Sequence, residues 1–494
     1  MNILESTNWS LLQTLGERGL RLVMVGTACA IGAALSAQTL CEAGYAGDYP
    51  CDGIDLMSVT PFGELGSPGG FGNGNDCWGW VKDDREFVLY GRSNGLSVVE
   101  VTDPVNPLFL ANLPTHTTSS LWRDVKVYGD YAFIVSEAGD HGMQVLDLNA
   151  AIAGGGVGGP VQMLTTAHFD GFGNAHNIAL NESTGYAYPV GTNMASGGLL
   201  MIDISDPLNP ELEGTWNGSY VHDAQVVVFN GADEDYIGRE VAFACGGYNG
   251  MYIVDVTDKS DPQTISSFEG SEFVYTHQSW LTEDHRFMLI CDELDELYLD
   301  GFNTRTYVVD LLDLDNPVLV GFHSGTLEVT DHNVYTHKGL AFESNYNAGL
   351  QVLRPLNLMA AEMEQIASFD TEPTTDEVGT DGAWSVFPYF PSGSIAISTF
   401  THLFVVRPSE DSVLDVELNS PAVSALTALA GVDVLHLNWA GAQAQVQVFD
   451  AIGTLVYAGT ISEGENTVST SGWAPGLYLV SCDKSPHAER VVIR

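Results

Sequence analysis

Gly250-Met-Tyr-Ile-Val-Asp-Val-Thr-Asp258 is the phrase on which the fold turns. It stands also as Gly95-Leu-Ser-Val-Val-Glu-Val-Thr-Asp-Pro104, Gly142-Met-Gln-Val-Leu-Asp-Leu148 and Gly198-Leu-Leu-Met-Ile-Asp-Ile-Ser-Asp-Pro207. Looser copies are Arg305-Thr-Tyr-Val-Val-Asp-Leu311, Gly349-Leu-Gln-Val-Leu-Arg-Pro355 and Thr401-His-Leu-Phe-Val-Val-Arg-Pro408, giving seven copies spaced 44–56 residues apart. Each sits third in a sentence of four strands. A first strand such as Asp124–Tyr128 is followed by the hairpin signal Gly129-Asp130, then by a second, Tyr131–Ser136. After the repeated phrase, an Asn-Pro turn opens a fourth, as in Pro107–Leu113 or Pro317–Phe322. Four antiparallel strands per unit, seven times over, predict an all-β chain built on a seven-bladed β-propeller. A parallel β-solenoid has shorter coils and no such hairpins. The seventh unit holds Trp384–Phe390, Ser394–Thr399 and Leu403–Val406 but no fourth strand, and Asp55–Leu65 is spare before the first unit. The expectation is that 55–65 closes the last blade and removes its open edge.

Outward from the propeller, 38–412, lie two other segments. In residues 1–37, Arg18 and Arg21 precede the apolar run Leu22–Ala37, the layout of a secretory signal peptide. An uncleaved anchor is the alternative, because Leu22–Cys41 carries no charge. From 413 to 494 short strands (Val446–Asp450, Thr454–Tyr457, Asn466–Val468 and Gly476–Cys482) with Gly-rich turns predict a small C-terminal β-sandwich.

The 494 residues hold 17 Lys plus Arg against 64 Asp plus Glu, a net charge of −47, and −42 of it falls on the propeller. That balance excludes a nucleic-acid binder, which needs cations against phosphates, and disfavours anionic lipid. With 16% charged and 45% hydrophobic residues the chain is no disordered acidic polymer. No C-x-x-C pair occurs. Cys41–Cys51 is the expected local disulfide, and Cys245 and Cys291, each ending an apolar run, are expected as buried thiols.

First strands line a propeller's channel, and their starts face one mouth. The residues there are Asp76 with Trp78 and Trp80, Trp122 with Asp124, His176 with Asn177, and His222 with Asp223. His277 with Gln278, Asp331 with His332 and Asn333, and Asp381 with Trp384 complete the set. Four successive units thus place a histidine at one mouth, and His176, His222, His277 and His332 with neighbouring carboxylates compose a zinc or copper site. The other reading is structural, with imidazoles bonding orphan backbone groups. Glu137 and His141 lie in a loop opening on the same face, and His168 and Asp170 in another. The loop with Asp292, Glu293, Asp295 and Glu296 offers calcium-type oxygens without EF-hand spacing, or is a solvated acidic loop. Ligand contacts at the mouth are expected from Trp78, Trp122, Asp124, Glu137, His141, Asn177, Gln278, Asn333 and Trp384, although tryptophans here, Trp280 among them, suit blade packing as well as sugar stacking. Gly154-x-Gly156-x-x-Gly159 precedes Pro160 outside any βαβ unit and reads as a loop. No nucleophile elbow, His-Glu-x-x-His or P-loop is present.

The Val-Val-Asp-Val phrases resemble those of LVIVD-repeat propellers. Trp122-Arg-Asp124, Ser136-Glu-Ala-Gly-Asp-His-Gly-Met-Gln144, His168-Phe-Asp-Gly-Phe-Gly173, His176-Asn177 and Tyr275-Thr-His-Gln278 resemble the exported choice-of-anchor B group over 45–408. Val448-Phe-Asp-Ala-Ile-Gly453, Gly476-Leu-Tyr-Leu-Val480 and Arg490-Val-Val-Ile-Arg494 are similar to the type IX secretion sorting domains of Bacteroidetes-like bacteria. The resemblance implies type IX secretion machinery as a partner through 413–494 and an extracellular or outer-membrane-surface address. It implies no activity. Two functions stay open: a monomeric scaffold binding an extracellular ligand at its mouth, or a metal-dependent enzyme. The latter would be a hydrolase with Asp223 or Asp331 as general base on a metal-bound water, or a copper oxidase.

Overall fold

The computed structural model describes residues 38–66, 73–156, 159–268, 273–299 and 301–419. In the C-terminal part it describes 426–430, 434–439, 443–450, 454–462, 464–482 and 489–493. The leader expected at 1–37 lies outside these, and among the described residues no helix is long and apolar enough to cross a membrane.

Among the described residues, seven sheets precede residue 412. Blade one is Gly74–Lys82, Arg85–Arg92, Gly95–Glu100 and Leu108–Pro114; blade two is Arg123–Tyr128, Tyr131–Ser136, Met143–Asp147 and Ala167–Phe169. Blade three is Asn177–Asn181, Tyr186–Val190, Leu199–Asp203 and Glu211–Trp216; blade four is Asp223–Val228, Glu240–Cys245, Met251–Asp255 and Gln263–Phe268. Blade five is Thr276–Leu281, Phe287–Asp292, Arg305–Asp310 and Val318–Ser324; blade six is Asn333–His337, Leu340–Ser344, Leu350–Asn357 and Glu362–Phe369. Blade seven is Ala383–Phe387, Ile395–Thr399 and His402–Pro408 with Ile54–Pro61 as its outer strand. First strands neighbour one another around the ring, and that of blade seven meets that of blade one. The architecture is a β-propeller.

The repeated phrase is apolar without interruption because third strands are covered on both faces. Leu199 and Met201 pack with Val226 and Ala244 of blade four, while Leu200 and Ile202 pack with Phe133 and Val145 of blade two. Each such side chain contributes about 1.5–3 kcal/mol when fully buried. The aspartate closing the phrase shapes the turn: the carboxylates of Asp203, Asp255 and Asp310 accept the backbone N–H two residues on, at 2.8, 2.9 and 2.8 Å.

The N-terminal segment straps two blades. Tyr49–Asp52 extends blade six beside Glu362–Phe369 before Ile54–Pro61 completes blade seven, and a Cys41–Cys51 disulfide ties the strap to itself. Cys77, Cys245, Cys291 and Cys482 are buried and are not joined in disulfides. Among the described residues of the C-terminal part, sheets of three and four strands close over Leu435, Leu437, Trp439, Val446, Val448 and Val480. One boundary differs from expectation. Residues 413–419, assigned above to the second module, form a helix whose Leu414 and Leu418 join the propeller core beside Ile54 and Ala367, and the Lys338 Nζ donates to the Leu418 carbonyl at 2.6 Å. The helix therefore ends the propeller.

Candidate functional site

The starts of the first strands converge on one cavity lined by His176, His222, His277, His332, Glu293, Asp76, Asp223, Asn177, Asn333, Trp122 and Trp384. Imidazoles follow one another from blade to blade, tilted by 40–52°, with ring centres 4.1 Å apart for His176 and His222, 4.2 Å for His222 and His277, and 4.2 Å for His277 and His332. Each ring is aimed by its Nδ1. The Nδ1–H of His222 donates to the His277 carbonyl at 3.1 Å, that of His277 to the His332 carbonyl at 2.8 Å, and that of His332 to the Trp384 carbonyl. His176 donates from Nδ1 to the Glu137 carboxylate at 2.6 Å. Carbonyls only accept, so in the neutral rings of His222, His277 and His332 these bonds set the tautomer and leave Nε2 with its lone pair.

Burial keeps His222, His277 and His332 neutral. It pushes His277 and His332 down to about 3, with His176 and His277 respectively adding repulsion, and holds His222 well below the imidazole range with the same help. Among the described residues, donor atoms of His277, Glu293 and His332 lie within 4.8 Å of one another, and His277 Nε2 is 3.8 Å from Glu293 Oε2. The other Glu293 oxygen accepts from Tyr346 Oη at 2.8 Å. Two neutral imidazoles and a carboxylate, each oriented by a second partner, suit zinc or a similar transition metal.

Other expected residues have different work. Asp124 accepts Ile178 N–H of blade three at 2.9 Å and Gln278 accepts Val334 N–H of blade six at 2.9 Å. Asn177 and Asn333 line the mouth but donate to the His222 and Trp384 carbonyls of the next blades. Much of the polar set therefore bolts blades together. His141 is fully buried in blade two, bonded to Gly142, Gln144 and Arg123, and Trp78 lies deeper in the channel with Trp280 and Tyr335; neither faces the mouth. His168 stacks on His116 at 3.8 Å, and Asp170 and Asp381 are exposed. Trp122 and Trp384 remain at the mouth, and Glu137 stands behind His176.

The two carboxylates named as general bases part company: Asp223 lines the mouth and Asp331 does not. Burial first, and then Asp124, push the Asp223 carboxyl up to about 8 against the opposing Lys126. Asp331 is buried near Glu296, Asp295, Glu343 and Asp292. The acidic loop divides likewise. Glu293 joins the histidines, Asp292 accepts the N–H groups of Val274 and Tyr275 at 2.6 and 2.7 Å, and Asp295 and Glu296 are buried instead of solvated. Lys126 went unnoticed in the sequence. It is partly buried in the channel, 2.6 Å from Asp124 and 4.7 Å from the Trp78 ring centre. Its signal was position: Asp124 and Lys126 share a strand face.

Comparison with known proteins adds the following. Residues 122–148, 172–218 and 242–269 match the LVIVD repeat, and residues 432–494 match the secretion system C-terminal sorting domain. A search of curated proteins finds no significant match. Among solved structures, PorZ, a bacterial surface component of the type-IX secretion system of Porphyromonas gingivalis, aligns with a TM-score of 0.45 and 12% identity, covering 85% of this chain. The chain spans 59% of PorZ. The WD40 propeller domain of Doa1 aligns with a TM-score of 0.48 and 11% identity, covering 72% of this chain and 98% of that one. The Myceliophteria thermophila Cps50 (Swd1) propeller domain gives 0.47 and 11%, over 72% and 100%. The chain carries LVIVD repeats in its propeller and ends in a sorting domain for type IX secretion, which sends it to the cell surface or the extracellular space.

Proposed function

We propose that this exported propeller holds a divalent transition metal, zinc by the donor set, on His277, His332 and Glu293, and uses its open side to bind an extracellular ligand at the channel mouth. The observation behind it is the mutual approach of those three donors, with each Nδ1–H committed to backbone and each Nε2 lone pair available. Trp122, 43% exposed, and Trp384 offer apolar walls beside that position. A zinc centre would present an electrophilic point for a carboxylate or imidazole within a surface that otherwise repels anions. The test is zinc binding by the full chain after chelator treatment, by equilibrium dialysis. One zinc per chain is expected, with affinity weakened at least about tenfold in His277→Ala and in His332→Ala. Wild-type protein that takes up no zinc, or variants that keep full affinity, would refute it.

A hydrolytic reading draws on the same donors, because three protein ligands beside an open position also describe catalytic zinc. Glu137, held by His176, is then the carboxylate to accept a proton. Turnover of ester, amide or phosphoester probes by zinc-loaded protein, lost in Glu137→Gln with zinc content intact, would favour it over binding alone.

A further inference from the structure

Between blades five and six a separate pocket opens, lined by Thr304, Thr306 and Leu327 from blade five and the link after it, and by Glu343, Asn345 and Gln351 from blade six. Thr304 and Thr306 alternate with Arg305, so the threonines share a face while Arg305 stacks on Phe302 and Phe322. Glu343 and Asn345 are each 2% exposed. The Thr306 hydroxyl donates to one oxygen of Glu343, and the Asn345 amide donates to the other at 3.2 Å. Gln351 donates its amide to the Ala348 carbonyl at 2.6 Å. The remaining amide oxygen, Asn345 Oδ1, is buried with no hydrogen-bond partner. None of the side chains lining the pocket is lysine or arginine.

Two neutral donors leave part of a carboxylate's accepting capacity unused, and a buried amide oxygen without a donor is costly. Asn345 Oδ1 shares its carbon with the Nδ2 that touches Glu343, so both acceptors lie within reach of one small donor group. An anion is excluded by Glu343. A cation with several N–H groups answers both acceptors, and Leu327, Val329 and Leu353 add apolar walls for a hydrocarbon attached to it. We propose that this pocket binds a primary ammonium group on an alkyl stem, as on a lysine side chain or a free alkylamine. The ammonium donates to Glu343 and Asn345 Oδ1, and the stem lies along Leu327, Val329 and Leu353. The net charge of −47 draws such cations toward the protein. Asn345 is the chain neighbour of Tyr346, which bonds Glu293 and stands 4.4 Å from the His332 ring, so pocket and channel mouth share one loop of blade six. The site stands without any metal at the mouth.

The test titrates the full chain with Nα-acetyl-lysine methylamide and with n-butylammonium, at about 0.15 M salt to screen the acidic surface. One saturable site with a dissociation constant on the order of 1 mM is expected. The norleucine analogue of the first probe keeps the stem without the charge and should not bind. Glu343→Gln keeps the shape and should weaken binding at least about tenfold. Gln365→Glu adds a carboxylate to the pocket lining and should tighten binding about twofold or more, a gain that a folding defect does not mimic. Asp313→Asn, in the exposed trio Asp233, Asp313 and Asp315, should leave the titration unchanged. The lysine probe binding at least as tightly as butylammonium would name a peptide side chain as the source, and butylammonium binding alone would name a free amine. Wild type that saturates with neither amine, a norleucine probe that binds as well, or a Glu343→Gln titration that matches wild type would each overturn the proposal.

Discussion

His141 shows how one histidine can be committed wholly to structure while His277, three blades further round the ring, keeps a nitrogen free. Its Nε2 stands 3.0 Å from the buried Arg123 guanidinium, so a proton there would set two cations against each other. Burial first, then Arg123, push His141 down to about 4. A folded pKa below the ordinary 6.5 means that stability is full above pH 6.5 and is lost as pH falls toward 4. His141→Gln removes this liability, on the order of 3 kcal/mol across that window. Melting curves at pH 7 and 4.5 should therefore show a larger drop for wild type than for the variant, and equal drops would contradict the assignment. The histidine ring was legible in the sequence because four units place the same residue at equivalent strand starts. The duties of Gln278 and Asp124 were not, since their partners Val334 and Ile178 lie 56 and 54 residues away. Only the registration of adjacent blades brings them together.

Among the elements, the strap before blade one carries the ring's closure. Ile54–Pro61 pairs along His402–Pro408, and Tyr49–Asp52 pairs with Glu362–Phe369, so one short stretch covers the edges of two blades. The spare segment marked at 55–65 overlaps this strand because a four-strand unit lacking one member leaves a countable gap. The Tyr49–Asp52 pairing had no such signal, being a short run in a Gly-rich stretch. Cys41–Cys51 closes a loop with a sequence separation of 10, which by loop-closure entropy stabilises the fold by roughly 3 kcal/mol. A Cys41→Ser/Cys51→Ser double variant should unfold at a lower urea midpoint, with the slope barely changed. Midpoints that coincide would mean the strap is held by its sheet pairing and core contacts alone.

For the whole molecule, the decisive seam is where the propeller stops and the exported tail begins. Composition placed it at 412, because strands of a new kind follow. The physical seam is later, since Leu414 and Leu418, four apart on the helix Val413–Asn419, are buried in the propeller cluster. That i, i+4 spacing was the available signal, too short at seven residues to stand out. Two truncations separate folding from address. A chain ending after 419 keeps both leucines and the Lys338 contact, so its propeller should melt within about 2 °C of the full chain. A chain ending after 412 loses two leucines worth about 1.5–3 kcal/mol each and opens the core beneath them, so its Tm should fall by several degrees. Both lack the sorting domain at 432–494, so in a host with type IX secretion both should stay cell-associated inside the outer membrane, where fractionation would find them. Export of the 419 chain to the surface would show that the address lies in the propeller, and equal stability of the two truncations would show that the helix is a passenger of the tail.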